Sequence, residues 1–539
     1  MTSRTSVSVS PPGILKGPAF AARVAEICRV LPAPQPLPGL KYRRILMPGM
    51  VGGEVQFALL SFIAHALRLR GAEVTGLLCD RLLPACTMQK SDHHELACDR
   101  WCYRNSGPFV RAAQLPHRWY SEFITPDERT ECDRLAARVP VAELKRFEWR
   151  GIALGVHVDR SVQSHFKVGA FELDRPDMVA KARQLLAAGM YLVRIGERVF
   201  EELRIDKVFM DDGQKIDWGV IRSVARARGV PVDLTLGTCR GGCRLVEHDQ
   251  STKWSDPLPW WPQWRDVPLT PDQEAELDAY FAGRATRPYG DRAWTELTRG
   301  TDRNEVRRRI GLPATPSGLV FAMFPNLGYD AAVTTDEPTY ATGAEWVVAT
   351  VRYFARRPEQ HLVIKLHPAE ALRAAQDSTG DALAAEFRTC PPNVHILAPH
   401  TNLTAHDVIE AADVVLVYTS TVGIEAGYLG KPVVNVGGGW HAERGISIDV
   451  TTPAQYFDLL GKICAGAVPA VSRELARRYA YAVFFRGALP IRHYSAMYPN
   501  ITALHLNGLE ELAPGRDAAM DVICRGILLD EPFMLQDPA

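Results

Sequence analysis

From Lys41 onward, short apolar runs alternate with amphipathic stretches. Arg44–Met47 is a strand-length apolar run, Pro48–Gly53 is rich in glycine, and Glu54–Arg70 carries helical spacing that Gly71 ends before the strand Glu73–Cys79. This β–loop–α–β order predicts a parallel, doubly wound sheet. Trp101–Arg150 shows no clear period. A long helix follows around Pro176–Leu203, then strand Lys207–Met210, loop Asp211–Gln214, helix Trp218–Arg228 and strand Val230–Leu236. Trp254–Asp291 is rich in Trp, Pro and Asp and reads as irregular or linking structure. A second alternating series begins near Asp302, where Asp302 and Glu305 have capping spacing. It runs through strand Gly318–Met323, helix Gly343–Phe354, strands Gln360–Leu366 and Val394–Leu397, a capping box at Thr404–Asp407, strand Asp413–Tyr418, helix Val422–Leu429 and strand Pro432–Val436. Residues 1–40 read as a leader ending in the Pro-rich linker Pro32–Pro38, and the tail after Pro469 is mostly helical over Ser472–Phe485. Two successive α/β lobes predict a ligand cleft between them.

Composition narrows the functional classes. The 62 Lys and Arg balance the 62 Asp and Glu of the 539 residues, which argues against nucleic-acid binding through an overall field. Apolar residues at 47% and charged residues at 23% exclude wholesale disorder. No run reaches the ~18 apolar residues of a membrane span, and Met1–Pro12 lacks the apolar core of a secretion signal, so a cytoplasmic protein is expected. The eleven cysteines are then expected as reduced thiols. Cys79, Cys86, Cys98 and Cys102, with His93 and His94 between them and Cys239/Cys243 apart, are too loosely spaced for a regular zinc site, and no metal is expected there.

The chemistry concentrates in His361–Val436. Lys365 and His367 alternate at the carboxyl end of a strand, so both side chains share one face, and Pro368 keeps His367 extended. In doubly wound sheets, ligands sit beyond the carboxyl ends of the strands, where a cation and an imidazole suit a phosphate. Equally, the pair could be a capping histidine and a solvated lysine. After the strand Val414–Tyr418 come Thr419-Ser420-Thr421 at the start of a helix, more hydroxyls than one N-cap requires. Glu425 lies one turn in on the face of Thr421, placed either for ribose hydroxyls or for a buried ion pair with the neighbouring lobe.

Phe324-Pro325-Asn326, the stretch His361–Pro368, Asn393-Val394 and the stretch Ala412–Val434 together resemble the capsule polysaccharide biosynthesis glycosyltransferases, a group similar to the bacterial capsule Kdo transferases. The resemblance covers about Phe321–Tyr456. It implies a GT-B fold, in which two Rossmann-like lobes face a cleft, with His367, Pro368 and the Ser420/Thr421 turn binding the nucleotide and phosphate, Lys365 and His367 stabilising the leaving phosphate, and no obligatory metal; Glu425 is expected at the same nucleotide site. The Gln-Pro motif of the Kdo enzymes is not found in its expected context. The expected division is a leader at 1–40, an acceptor-side lobe at 41–300, a nucleotide-sugar lobe at 301–470 and a helical tail at 471–539. The expected activity is transfer of a sugar from a nucleotide-sugar donor to a hydroxyl of a glycan or lipid-linked acceptor, without a separate cofactor. The site would lie in the cytoplasm, with peripheral contact to the inner face of the membrane allowed for. A nucleotide-sugar 2-epimerase on the same scaffold and a non-catalytic sugar-binding protein are the alternatives.

Transfer to a hydroxyl needs a group to take its proton, expected from the first lobe, across the cleft from the nucleotide. Glu54, after Gly52-Gly53, and Asp212, in the turn Asp211-Asp212-Gly213, are the acids placed for it, with Glu54 preferred because the glycines admit close acceptor approach. Pro48–Glu54 is not a G-x-G-x-x-G fingerprint, so dinucleotide binding is not expected. Structural roles compete: Glu54 as a favourable charge in a first helical turn, Asp212 as a turn former. His165 is a weaker third candidate.

Overall fold

The structure is a computed structural model that describes residues 14–49, 53–88, 98, 102–238, 240–249, 256, 258–286, 302–313, 315–328, 339–372, 378–497 and 500–536. The first lobe contains β1 (Arg44–Pro48), β2 (Glu73–Leu78), β3 (His117–Trp119), a small hairpin β4 (Glu148–Trp149) and β5 (Ile152–Ala153), β6 (Lys207–Asp211), β7 (Val232–Gly237) and β8 (Cys243–His248). The second contains β9 (Val320–Phe324), β10 (His361–Lys365), β11 (Val394–Leu397), β12 (Val414–Val417), β13 (Val433–Asn435) and β14 (Ile448–Asp449). The chain ends with β15 (Leu489–Pro490) and a hairpin of β16 (Tyr494–Met497) and β17 (Asn500–Leu504), followed by helix Ala518–Leu529.

The second sheet has the order β11-β10-β9-β12-β13-β14 and is parallel throughout. Its strands are apolar on both sides because helices cover both faces. Phe321, Met323, Leu362, Ile364 and Leu416 pack into one layer, and Val320, Ala322, Val363, Val415 and Val417 into the other, as a period of two requires. The first sheet has the order β15-β8-β7-β6-β1-β2-β3, parallel from β7 to β3, with β8 and β15 antiparallel at one edge. Together the two sheets are the two-lobed α/β architecture that the alternation predicts.

Both chain ends are built into the first lobe. Helix Gly17–Ile27, in the expected leader, buries Phe20 against Phe57 and Phe109. The tail is helical at Arg473–Tyr481 and Ala518–Leu529, but between them β15 joins the first sheet, and helix Ala518–Leu529 packs on helix Glu54–Leu69. Two sets of polar contacts fasten this return. The fully buried Arg70 guanidinium binds the carbonyls of Ala66 and Leu512 and pairs with Asp521. Lys207 Nζ, also buried, lies 2.8 Å from Asp233 and 2.7 Å from Asp530.

Two stretches without readable period contain regular structure. Helix Pro126–Arg138 starts at a Thr125–Glu128 capping box and buries only Cys132 and Ala136, too few positions to show a period. Helix Pro271–Thr286 lies in the expected linker and buries Leu277 and Phe281 among its charged residues. No helix among the described residues is long and apolar enough to cross a membrane.

Candidate functional site

In the second lobe, register brings the candidate residues to one edge. Ile364 and Leu416 are both level with Met323, from opposite sides of β9. Lys365 and Val417 therefore flank Phe324, and with ~4.8 Å between neighbouring strands the ends of β10 and β12 are about 10 Å apart. Asn326, two residues past the end of β9, bridges the gap: its Oδ1 accepts from the Thr419 N–H at 3.2 Å.

Lys365 shares its face with Val363 and Val417, under helix Ala405–Ala411. It is 7% exposed, and among the described residues no hydrogen bond or ion pair reaches its ammonium. Burial pushes its pKa down to about 8, with the charge of Asp407 opposing the shift. Asp407 is fully buried and accepts from the Thr404 N–H at 2.8 Å in the predicted capping box, so its partial compensation is fixed in place. His367 takes the capping role that its position allowed. Its Nδ1 accepts from Ala369 N–H at 3.1 Å, capping the short helix Pro368–Leu372, which puts the proton of the neutral ring on Nε2.

The turn after β12 leads into helix Val422–Tyr428. Ser420 Oγ accepts from Val422 N–H at 3.3 Å, leaving its own hydroxyl hydrogen to donate elsewhere. Thr421 is partly buried beside it. Of the two placements open to Glu425, the ion pair is the one seen. Its Oε1 accepts from Arg284 Nε at 3.0 Å and Nη2 at 2.7 Å, both side chains being about nine-tenths buried. Arg284 lies on helix Pro271–Thr286, which Tyr428 also binds through Asp278 at 2.7 Å.

Sequence reasoning passed over the loop after β13. Gly437-Gly438-Gly439 runs along the turn, with φ of 89° and 94° at the last two. A Cβ on Gly437 would stand 2.3 Å from the Tyr418 ring and one on Gly439 3.1 Å from the Thr419 carbonyl, so only glycine lets the loop lie this close. His441 then folds back against Gly423. Three glycines directly after an apolar strand were the available signal.

The first lobe approaches this edge through helix Leu154–Phe166. His157 binds the Gln214 carbonyl through Nδ1 at 2.7 Å and Ser223 Oγ through Nε2 at 2.9 Å, while Ser161 Oγ accepts from Ile216 N–H at 2.9 Å. The helix thus climbs past the loop at the end of β6, and the segment after it overhangs the strand ends. There Gly169 meets Gly328 of the second lobe, so closely that a Cβ on Gly328 would stand 2.8 Å from the Gly169 Cα. His165 is 9% exposed, in the last turn of that helix, with its ring edge-on to Phe166.

The preference for Glu54 over Asp212 is not supported by their surroundings. Glu54 is 3% exposed and its Oε1 accepts from Gly17 N–H at 3.0 Å, so helix Gly17–Ile27 shields it. Gly53 is its N-cap, whereas Met50–Gly52 lie outside the described residues. Asp212 is more open, in a left-handed conformation with φ of 61°, held by Lys215 Nζ at 2.5 Å and by Gln214 N–H at 3.3 Å. Asp211 beside it accepts from Gln56 at 3.1 Å and Arg244 at 2.5 Å, and burial raises its carboxyl pKa. Of the cysteines, Cys79, Cys86, Cys98 and Cys102 are free thiols, while His93, His94 and Cys239 lie outside the described residues.

A search of curated protein sequences gives no match. Among solved structures, a beta Kdo 2,4 transferase, KpsC of Thermosulfurimonas dismutans, is 13% identical with a TM-score of 0.31, covering 57% of this chain and 87% of its own. The UDP-GlcNAc 2-epimerase of Neisseria meningitidis, bound to UDP-GlcNAc, is 10% identical with a TM-score of 0.26, covering 81% of this chain and 97% of its own. The ADP-heptose lps heptosyltransferase II of E. coli is 11% identical with a TM-score of 0.24, covering 79% of this chain and 99% of its own. Residues 328–457, the stretch that holds Lys365, His367, the turn after β12 and the glycine loop, match the family described as capsule polysaccharide biosynthesis protein.

Proposed function

We propose that this protein is a glycosyltransferase of surface polysaccharide synthesis, moving a sugar from a nucleotide-sugar donor to a hydroxyl of a glycan or lipid-linked acceptor at the inner face of the membrane. The observation that carries the reading is Lys365: a nine-tenths buried lysine that no hydrogen bond or ion pair reaches among the described residues, with Asp407 compensating it only in part, at the ligand-binding edge of a parallel sheet. Holding that charge in a dry site costs the free protein on the order of 3 kcal/mol, from a pKa displaced from 10.5 to about 8. A bound phosphate would repay the charge with a strong, short-range partner.

In the reaction, the acceptor oxygen bonds to the anomeric carbon as the bond from that carbon to the donor phosphate breaks. The acceptor proton passes to a carboxylate of the first lobe, and the nucleotide leaves with the electron pair. Lys365, the Nε2–H of His367 and the hydroxyls of Ser420 and Thr421 supply charge and donors to the departing phosphate, so this chain's own groups serve where a metal ion would otherwise be needed. Glu425 takes part by fixing helix Val422–Tyr428 through Arg284. For the proton, the more open surroundings of Asp212 favour it over Glu54.

A thermal-shift screen with UDP, CMP, GDP and CDP tests the reading, since a ligand bound only to the native state raises the melting temperature by mass action. One base is expected to stand out. Lys365→Met is expected to lose that shift, with affinity down about a hundredfold, while its own melting temperature holds or rises. Failure of all four nucleotides to bind would overturn the reading.

A further inference from the structure

Two buried polar groups beside the candidate site have no partner. Thr419 is 5% exposed and His441 1%, and neither Thr419 Oγ1 nor His441 Nε2 makes a hydrogen bond among the described residues. Stranding a buried donor or acceptor costs roughly 1–3 kcal/mol unless water or a ligand supplies the missing partner.

The backbone brings the two together. Thr419 continues the line of Val415 and Val417 past the end of β12, and Asn326 fixes its N–H. β13 is level with β12, Asn435 opposite Val417, and the chain stays in step beyond the sheet: Val436 N–H donates to Val417 at 3.0 Å and Gly437 N–H to Tyr418 at 2.7 Å. Gly439 then crosses Thr419 at contact distance, and His441 turns back so that its Nε2 stands where a side chain on Gly423 would be, 2.6 Å from the ideal Cβ. The loop therefore wraps the Thr419–Gly423 turn from the side opposite Lys365. Burial holds the His441 ring neutral, its pKa lowered to about 4, with Asp449 opposing the shift. A neutral imidazole is able to donate one hydrogen bond from Nε2 to an anion without placing a second charge in the pocket.

We propose that Thr419 Oγ1 and His441 Nε2 are phosphate-binding donors that complete the anion pocket of Lys365 from the far side of the turn, with Gly437–Gly439 as the loop that admits them. The assignment rests on the nucleotide-sugar reading above and adds two ligand contacts to it.

The test uses Thr419→Val and His441→Phe, which keep volume and remove the polar atom, with His441→Gln as the conservative variant. Affinities of the full-length protein are measured by calorimetry for UDP, CMP, GDP and CDP and for uridine, cytidine and guanosine. For whichever nucleotide binds the wild type, the Val and Phe variants are expected to lose about tenfold to a hundredfold. Binding of the matching nucleoside should stay within about twofold, His441→Gln should recover part of the loss, and melting temperatures should not fall, since an unpartnered polar atom has been removed. Unchanged nucleotide affinity in both variants would overturn the proposal while leaving the nucleotide reading intact. So would an equal loss for nucleoside and nucleotide, or a marked fall in melting temperature in both. If the wild type binds none of the four nucleotides, the parent reading fails and this one with it.

Discussion

The carboxyl-end edges of the two sheets are built alike from parallel strands and helix-opening turns, yet the candidate acids of one and three candidate donors of the other are in opposite states. In the first lobe, the carboxylates each have a partner: Glu54 takes Gly17 N–H, Asp211 takes Gln56 and Arg244, and Asp212 takes Lys215. In the second lobe, Lys365, Thr419 Oγ1 and His441 Nε2 are buried without one among the described residues. A satisfied edge is stable alone and changes partners only when a substrate arrives with something to exchange. An unsatisfied one is destabilised until a ligand supplies what is missing. On the function proposed above, tight, charge-dependent donor binding would belong to the second lobe, and proton handling with weaker acceptor contacts to the first.

The largest expected effect tests the first-lobe half of this contrast. Asp212→Asn and Glu54→Gln should be compared for turnover and nucleotide affinity in the same preparation. The base is expected to lose ~10²–10⁴-fold in rate with nucleotide binding unchanged, and its surroundings assign that loss to Asp212. Near wild-type rates in both would remove both acids from the reaction.

A smaller effect sharpens the second-lobe half. Lys365 carries its proton below about pH 8 in the free protein, and a bound phosphate raises its pKa further. Below pH 8, binding should therefore be insensitive to pH. Above it, the lysine must take up a proton to bind, so affinity should fall about tenfold between pH 7 and pH 9. Calorimetry at both pH values checks this, and Lys365→Met should flatten the dependence. A flat wild-type profile would show that the ammonium is not part of the site.

The smallest effect concerns the contact between the two edges. Gly328→Ala places a methyl 2.8 Å from the Gly169 Cα, which only a shift of one lobe relieves. Turnover is expected to fall severalfold, with nucleotide affinity unchanged if the donor site lies within one lobe as proposed. Steady-state kinetics set against binding separate the two. A matching loss of affinity would mean that the donor bridges the cleft.

Much of this arrangement was legible before any coordinates. The alternation of apolar runs gives both sheets because a parallel strand buried on two faces has little choice of residue. Lys365, His367 and the hydroxyl turn stand out because a cation and hydroxyls at the end of an apolar strand have few structural uses. What escaped notice had physical reasons. Helix Pro271–Thr286 meets the second lobe through few apolar positions, with Phe281 stacked on Tyr428, set among charged residues that bind Glu425 and Tyr428, so it shows no apolar period. His441 looks like any histidine; only its burial with Nε2 unpartnered among the described residues distinguishes it. Glu54 looked accessible because Gly17, the group that engages it, lies 37 residues earlier in a segment expected to be a leader.

The stitching of the tail into the first sheet also orders the birth of the molecule. The core that holds Phe20, Phe57 and Ile63 also holds Leu489, Ile501, Leu506, Ile523 and Ile527. Translation delivers the whole second lobe, with its neighbour-to-neighbour strands, before these last apolar side chains exist. The second lobe can therefore fold on its own while the first waits as an incomplete sheet, its β8 edge bare until β15 emerges. During synthesis, the lobe that carries Lys365 is complete before the lobe that carries Asp212.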